Sequence, residues 1–261
     1  MMTEAVSYST DEMMTVAASR LLKNGNVCFV GIGLPSAAAN LARLLHAPDA
    51  VLIYESGTIG AKPQVLPLSI GDNELADTAD FIVSIPEIFS YWLQAGRIDV
   101  GFLGAAQIDC HGNINTTVIG DYNHPVTRLP GAGGAPEIAT AAKQVFLILR
   151  QSLRSFVGQL DFITSAGYLQ GGDSAAAAGI RGKGPTHVIT DFGVLQPDPL
   201  TKELCMTALH PGKTLQQARE ATGWPLKAAA HLLTVPPPTA VELSMLRALM
   251  QRTANAHELA A

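Results

Sequence analysis

The chain has 261 residues, 48% of them hydrophobic and 15% charged, enough to bury a large core without disulfide support. Its net charge of −5 and the lack of a basic stripe exclude broad nucleic-acid binding. No apolar run reaches the roughly 18–20 residues that cross a bilayer, so the apolar excess points to surface buried on a partner chain. The start, MMTEAVSYSTDEMM, carries acids and no basic region, which argues against a signal peptide. Cys28, Cys110 and Cys205 are scattered and odd in number, as expected of reduced thiols in a cytoplasmic protein.

In chain order, STDEMMTVAASRLLKNG predicts a helix over about 11–23, opened by hydroxyl and acid caps and stopped at Gly25. NVCFVGIG predicts a strand ending in glycines, SAAANLARLLHA a helix capped by Ser36, and AVLIY a second strand closed by Glu55-Ser56-Gly57. Further short apolar runs follow: FIVSI, VGFLGA, VFLIL, HVITDF and LCMTAL, with helical segments such as EIFSYWLQAG between several of them. This alternation predicts an α/β fold with an open, mostly parallel sheet flanked by helices. Residues 162–210 show no obvious helices between strands, so that half is expected to be partly antiparallel. There is no internal repeat and no domain boundary, which predicts one domain over 1–261 with a helical tail at about 239–255. In that tail Val241, Met245 and Leu249 share one face, packed on the chain's own core or on a partner.

Four stretches could carry chemistry. Gly31-Ile32-Gly33-Leu34-Pro35 joins a strand to a helix, where small residues and unpaired N–H groups admit an anion. It nearly matches a dinucleotide fingerprint, and Glu55 stands where a ribose-binding acid would fall. Against that reading, Ser36 replaces the third glycine and Pro35 removes an N–H. Glu55 itself has three readings: a cap for its own turn, a ribose ligand, or a nucleophile at the carboxyl end of a buried strand. Gly131, Gly133, Gly134 and Ala135 lie between Pro130 and Pro136, as a flexible loop or a backbone-lined wall. Asn113 after Gly112 is either a turn residue or a donor in a site. Gln107 and Asp109 are open in the same way. Glu137 reads as a helix-start acid, Lys62 as a solvated lysine, and His111, His187 and His210 are too scattered to name a general base. No histidine or cysteine spacing suits a metal.

GIGLP, YESGTIG, GAAQIDCHGNINTT, LPGAGGAPEIA and LHPG occur here in one order over roughly residues 10–225. In this the chain resembles the β subunits of family I CoA-transferases, most closely the 3-oxoadipate and glutaconate branch. The resemblance implies a NagB-like architecture, an α subunit that completes the site, and no permanently bound cofactor, coenzyme A entering as acyl-CoA substrate. It implies Glu55 as acyl acceptor with Asn113 beside it, and CoA contacts from Gly31, Ile32, Gly33, Leu34 and Pro35. Gly57, Gly112, Gly131, Gly133, Gly134 and Ala135 would complete those contacts. The reaction implied is transfer of CoA, from a donor such as succinyl-CoA, to a dicarboxylic or 3-oxo acid such as 3-oxoadipate. A glutaconate-type transferase or a thioester or ring-opening hydrolase of the same fold is the near alternative. An NAD(P)-binding oxidoreductase is the distant one.

Overall fold

The computed structural model describes residues 7–260; the first six residues, part of the acidic start, lie outside them. Helix α1 (Thr10–Arg20) begins on a capping box, Ser9 Oγ accepting from the Glu12 N–H and the Glu12 carboxylate from the Ser9 N–H. It ends three residues earlier than its sequence suggests, and the chain reverses through Gly25 at φ +78°. Strand β1 (Val27–Phe29), helix α2 (Leu34–Leu45) and strand β2 (Val51–Ile53) form a parallel βαβ unit with Val27 opposite Val51. Gly33, rather than Ser36, caps α2; Ser36 lies inside the first turn, fully buried.

Strand β3 (Thr58–Ile59) folds straight back on β2, and after α3 (Asn73–Asp77) comes the edge strand β4 (Phe81–Ile82). The segment EIFSYWLQAG contributes only the end of α4 (Ile85–Glu87) and a π-helical turn over Ile88–Leu93. Strand β5 (Val100–Leu103) precedes two small hairpins, β6 (Gln107–Ile108) with β7 (Ile114–Asn115) and β8 (Val118–Gly120) with β9 (Pro125–Arg128). Then follow α5 (Ala135–Ala141), β10 (Gln144–Ile148), α6 (Ser174–Ala177), β11 (Pro185–Ile189), β12 (Gly193–Pro197) and β13 (Leu204–Leu209). Helix α7 (Leu215–Glu220), β14 (Ala228–Thr234) and α8 (Ala240–Ala260) close the chain.

Ten strands form one sheet in the order β14-β13-β12-β11-β10-β5-β1-β2-β3-β4. The central five, β11-β10-β5-β1-β2, are all parallel, and antiparallel pairings flank them on both sides. The expected α/β architecture and the partly antiparallel second half are both present. Strand alternation sorts the core into two layers. Cys28, Leu52, Tyr54, Phe102 and Phe146 pack toward α1 and α2. Phe29, Ile53, Leu103, Val145 and Leu147 pack with Ile88 and Leu93 of the π-helical turn and Ile138 of α5. From β1 the chain steps outward to β2, then returns to place β5 on the other side of β1. Ligands of open α/β sheets bind at such a reversal, beyond the carboxyl ends of the strands.

The tail is a longer helix than expected, and its buried face is Leu243, Leu246 and Leu249. Val241 is 66% exposed, so the four-residue spacing that grouped it with Leu249 misplaces it. The helix is tied down by Arg20, whose guanidinium donates to both Glu242 carboxylate oxygens at 2.6 Å and to the Pro236 and Pro237 carbonyls. No helix among the described residues is long and apolar enough to cross a membrane.

Candidate active site

Glu55 sits in a tight turn between β2 and β3, closed by the Gly57 N–H donating to the Tyr54 carbonyl at 3.0 Å. Gly57 has φ +104°, and a Cβ there would lie 2.0 Å from the Val83 carbonyl oxygen, so no other residue fits. The Val83 N–H in turn donates to the Gly57 carbonyl at 2.9 Å, clamping the turn from the edge strand's side. Alternation along β2 then decides where Glu55 points. Tyr54 faces α2, its hydroxyl 3.1 Å from Ser36 Oγ, whereas Glu55 takes the opposite face with Phe89 and α5.

On that face Gly134 presents its backbone to the carboxylate. A Cβ at Gly134 would lie 3.2 Å from Glu55 Oε2 and 2.5 Å from Phe89 Cζ. Desolvation by the surrounding walls raises the Glu55 carboxyl above its ordinary pKa, and the Gly134 N–H facing it works in the opposite direction. The carboxylate caps no N–H of its own turn, which removes the simplest structural reading of this acid. The hydroxyls of Ser56 and Thr58, on either side of Gly57, are buried without a partner among the described residues.

The 131–134 loop is held by Thr116. Its hydroxyl donates to the Gly131 carbonyl at 2.7 Å, and its own carbonyl accepts from the Gly131 N–H at 2.8 Å. Thr116 is anchored by Thr164 Oγ1 at 2.9 Å, and the neighbouring Asn115 amide bonds Gln107 Oε1 at 2.7 Å. Gln107 also donates to Asp161. Much of GAAQIDCHGNINTT is therefore scaffold for the glycine loop. Gln107 and Asp109 resolve as turn and network residues, Asp109 accepting from the N–H groups of His111 and Asn113.

Asn113 and Gly112, expected at the site, sit in the packed turn that joins β6 to β7. Asn113 is 1% exposed; its amide donates to Asp109 and to the Leu169 carbonyl, while its oxygen accepts from the N–H groups of Gly167 and Leu169. No hydrogen-bonding capacity is left for a reacting oxygen. Gly112, at φ +69°, is buried against Pro185, where a Cβ would approach to 2.4 Å.

The Gly31–Pro35 turn extends β1 beside the Glu55 strand, the Val30 N–H donating to the Ile53 carbonyl at 2.8 Å. Gly31 and Gly33 have open space where a Cβ would stand, and Gly33 has φ +79°. Ile32 and Leu34 pack back onto the α1–α2 layer, the face of the sheet opposite the one Glu55 takes. Gly33 and Leu34 also line a cleft of about 950 Å³ between α1, α2 and α8. Ala135 packs on the core at the start of α5, and Gly133 lines a cleft of about 510 Å³ with Pro136, Glu137, Thr140 and Ile163.

The remaining candidates settle simply. Lys62 pairs with Asp80 at 2.7 Å, and Glu137 accepts from Gln94. His187 is pushed down to about 4 by burial, and no set of three or more potential metal ligands is clustered among the described residues. Burial pushes the Cys28 thiol up to about 12. Phe89 and Thr116 are the site-forming residues the sequence did not single out. Phe89 lay in a segment read only as helical, and Thr116 gave no signal beyond its place in a longer motif.

Comparisons with known proteins show the family and the fold. The family model described as coenzyme A transferase matches residues 11–221. The chain is 64% identical to one of the subunits of the 3-oxoadipate CoA-transferase of Pseudomonas knackmussii, over 96% of each chain. It is 36% identical to one of the subunits of the glutaconate CoA-transferase of Acidaminococcus fermentans, over 93% of each. The crystal structure of that glutaconate enzyme superposes with a TM-score of 0.87 at 33% identity, covering 92% of this chain and 94% of the other. The decarboxylase AibA/AibB superposes with a TM-score of 0.81 at 25% identity, covering 94% and 96%. A ten-stranded sheet with an acid at the carboxyl end of β2, matched by that family model over most of its length, places this chain in the coenzyme A transferase family.

Proposed function

We propose that this chain, acting as a single domain over 1–261, is the β-type catalytic subunit of a cytoplasmic, heteromeric transferase. It moves CoA from succinyl-CoA to 3-oxoadipate through a thioester on Glu55. The observation that carries this is the Glu55 carboxylate itself: half-buried, aimed away from its own turn, and faced by the Gly134 N–H. The acceptor identity is supported by the 64% identical relative, which bears the name of a 3-oxoadipate enzyme.

In this reading a Glu55 oxygen attacks the thioester carbonyl of the donor, forming a mixed anhydride and releasing the CoA thiolate. The thiolate attacks the glutamyl carbonyl of the anhydride, which frees the donor acid as its carboxylate and leaves CoA on Glu55. The acceptor carboxylate attacks that thioester and expels the thiolate, which then takes the acyl carbon of the acceptor and restores the Glu55 carboxylate. No proton donor, metal or resident cofactor enters this balance. Partial desolvation favours the sequence, because a carboxylate stripped of water is a more basic nucleophile. Each attack on the glutamyl carbon creates an oxyanion, and the Gly134 N–H is a neutral donor that can face it without quenching the nucleophile. Such a donor typically supplies about 2.7–4 kcal/mol of transition-state stabilisation. Gly31, Gly33 and Gly133 offer backbone at which the CoA arm can lie close.

The second subunit closes the site from the edge. Phe81 (67% exposed), Ile82, Ile85 and Tyr91 follow the Glu55 turn along β4 and into the π-helical turn, an apolar margin that a monomer would not leave in water. The test is mass spectrometry of the co-expressed complex incubated with succinyl-CoA alone. A CoA adduct on the peptide carrying Glu55, lost in Glu55→Ala, is expected. Undiminished transfer of CoA by Glu55→Ala would sink the assignment.

A further inference from the structure

At the end of the sheet away from Glu55, the starts of β5 and β10 open into a cleft of about 600 Å³. Five of the chain's 17 lysines and arginines line it: Arg20, Lys23, Lys143, Arg181 and Lys183. Among the described residues, Asp99 is the only acid in its lining. For a chain of net charge −5 this is a strong local reversal. Arg20 is engaged by Glu242 and Lys143 by Asp99, but Lys23, Arg181 and Lys183 have no ion-pair partner among the described residues.

The fold brings these cations together against their repulsion. The Lys183 N–H donates to the Lys143 carbonyl at 3.2 Å, so the two lysines leave neighbouring backbones. The Gly182 N–H donates to the Thr140 carbonyl at 2.9 Å, and a Cβ at Gly182 would lie 2.4 Å from the Ala142 carbonyl oxygen. Only glycine lets the 181–183 segment approach this closely. The Tyr168 hydroxyl, donating to the Lys183 carbonyl at 2.8 Å, fixes it from the other side. Phe146 and Val100 supply an apolar floor, and the amides of Asn26 and Gln144 supply neutral polar groups in the same lining. Exposed like charges gathered on neighbouring backbone over a partly apolar floor are stabilised by an anion that bridges them.

We propose that this cleft is a binding site for a small multivalent oxyanion, carried by phosphate or carboxylate groups and clamped by Lys23, Arg181 and Lys183. The five residues of β10 separate it from the Glu55 edge by about 17 Å of sheet, so occupancy here does not block the reacting carboxylate. The inference stands on the cleft alone and does not depend on the reaction assigned to Glu55.

The test is calorimetric titration of the full chain, alone and assembled with its partner subunit, with pyrophosphate in one arm and citrate in the other. Binding of one anion per chain is expected, and the arm that binds more tightly identifies the ligand chemistry. Arg181→Gln/Lys183→Gln should weaken it about tenfold, roughly the 1.4 kcal/mol of two lost exposed charge pairs. About 1 M salt, where the screening length is about 3 Å, should weaken it as well. Glu55→Ala should leave it intact. Absence of binding in both arms would overturn the proposal. So would an equal loss on removing Arg128 of β9 and Arg252 of α8, which stand outside the cleft lining, or a loss caused by Glu55→Ala. If the assembled complex alone fails to bind, the cleft is a subunit contact and the proposal also fails.

Discussion

Gly134→Ala isolates the spatial requirement at the site. Gly134 has φ −83° and ψ −2°, a conformation open to alanine, so the backbone raises no objection. Replacing glycine at a compatible position even gains about 0.4–1 kcal/mol by restricting the unfolded chain. The cost is therefore steric: the new methyl would stand 2.5 Å from Phe89 Cζ, 2.8 Å from Cε1 and 3.2 Å from Glu55 Oε2. Phe89 must yield by about an ångström, and its ring packs against Phe29 at a centroid distance of 5.7 Å. Overpacking of this kind costs about 1–3 kcal/mol, which leaves a net loss of stability of about 0–2.6 kcal/mol. The larger effect should fall on turnover, because a displacement of about 1 Å at the reacting group costs on the order of a hundredfold. The assay is CoA transfer by the assembled complex alongside denaturant unfolding. Adding Phe89→Leu should return part of the turnover by making room, a coupling that a double-mutant cycle measures. Wild-type turnover in Gly134→Ala would refute the idea that this glycine backbone closes on Glu55.

Glu55→Gln should lose transfer yet unfold at a higher temperature near neutral pH. The folded-state pKa of Glu55 is raised, so ionising it costs stability as pH climbs through that value, and the advantage of glutamine should vanish below the ordinary carboxyl range. Equal melting temperatures of the two proteins at neutral pH would contradict the burial argument. Asn113→Ala should act on the fold: it orphans buried partners at about 1–3 kcal/mol each, so urea midpoint and activity should fall together. A stable but inactive Asn113→Ala would restore this residue to the chemistry. Glu242→Gln should loosen α8 by about 1.5–3 kcal/mol, the usual worth of hydrogen bonds to a charged group. Burial opposes ionisation of Glu242, but Arg20 and Thr239 outweigh it and hold the carboxyl down to about 2. A depressed carboxyl stabilises above its unfolded value, so the wild-type advantage should narrow as pH falls from about 4.5 toward about 2. A gap that does not change over that range would count against the pairing.

The alternation of apolar runs and glycine breaks was enough to predict the α/β class, the βαβ start and an acid at a strand end, because each follows from local periodicity and turn chemistry. The glycines were legible as punctuation, but their separate reasons were not. Gly57 is demanded by the Val83 carbonyl, Gly134 by Phe89 and Glu55, and Gly112 by Pro185, each a neighbour distant in sequence. Asn113 and Glu55 looked alike as polar residues beside glycine. Only the tertiary structure separates them, by giving the Asn113 amide four hydrogen bonds inside the chain and setting the half-buried Glu55 carboxylate against the Gly134 backbone. The same holds for Val241 and Leu246, whose exposure follows from where α1 and α2 meet the last helix, not from helical spacing. Sequence by itself determined the first helix, the strands and helix of the opening βαβ unit, the tail helix and which acid stands at a strand end. Which face that acid takes, and what surrounds it, was decided by the pairing of β1 with β2 and the return of the chain to β5, contacts between segments that no local pattern encodes.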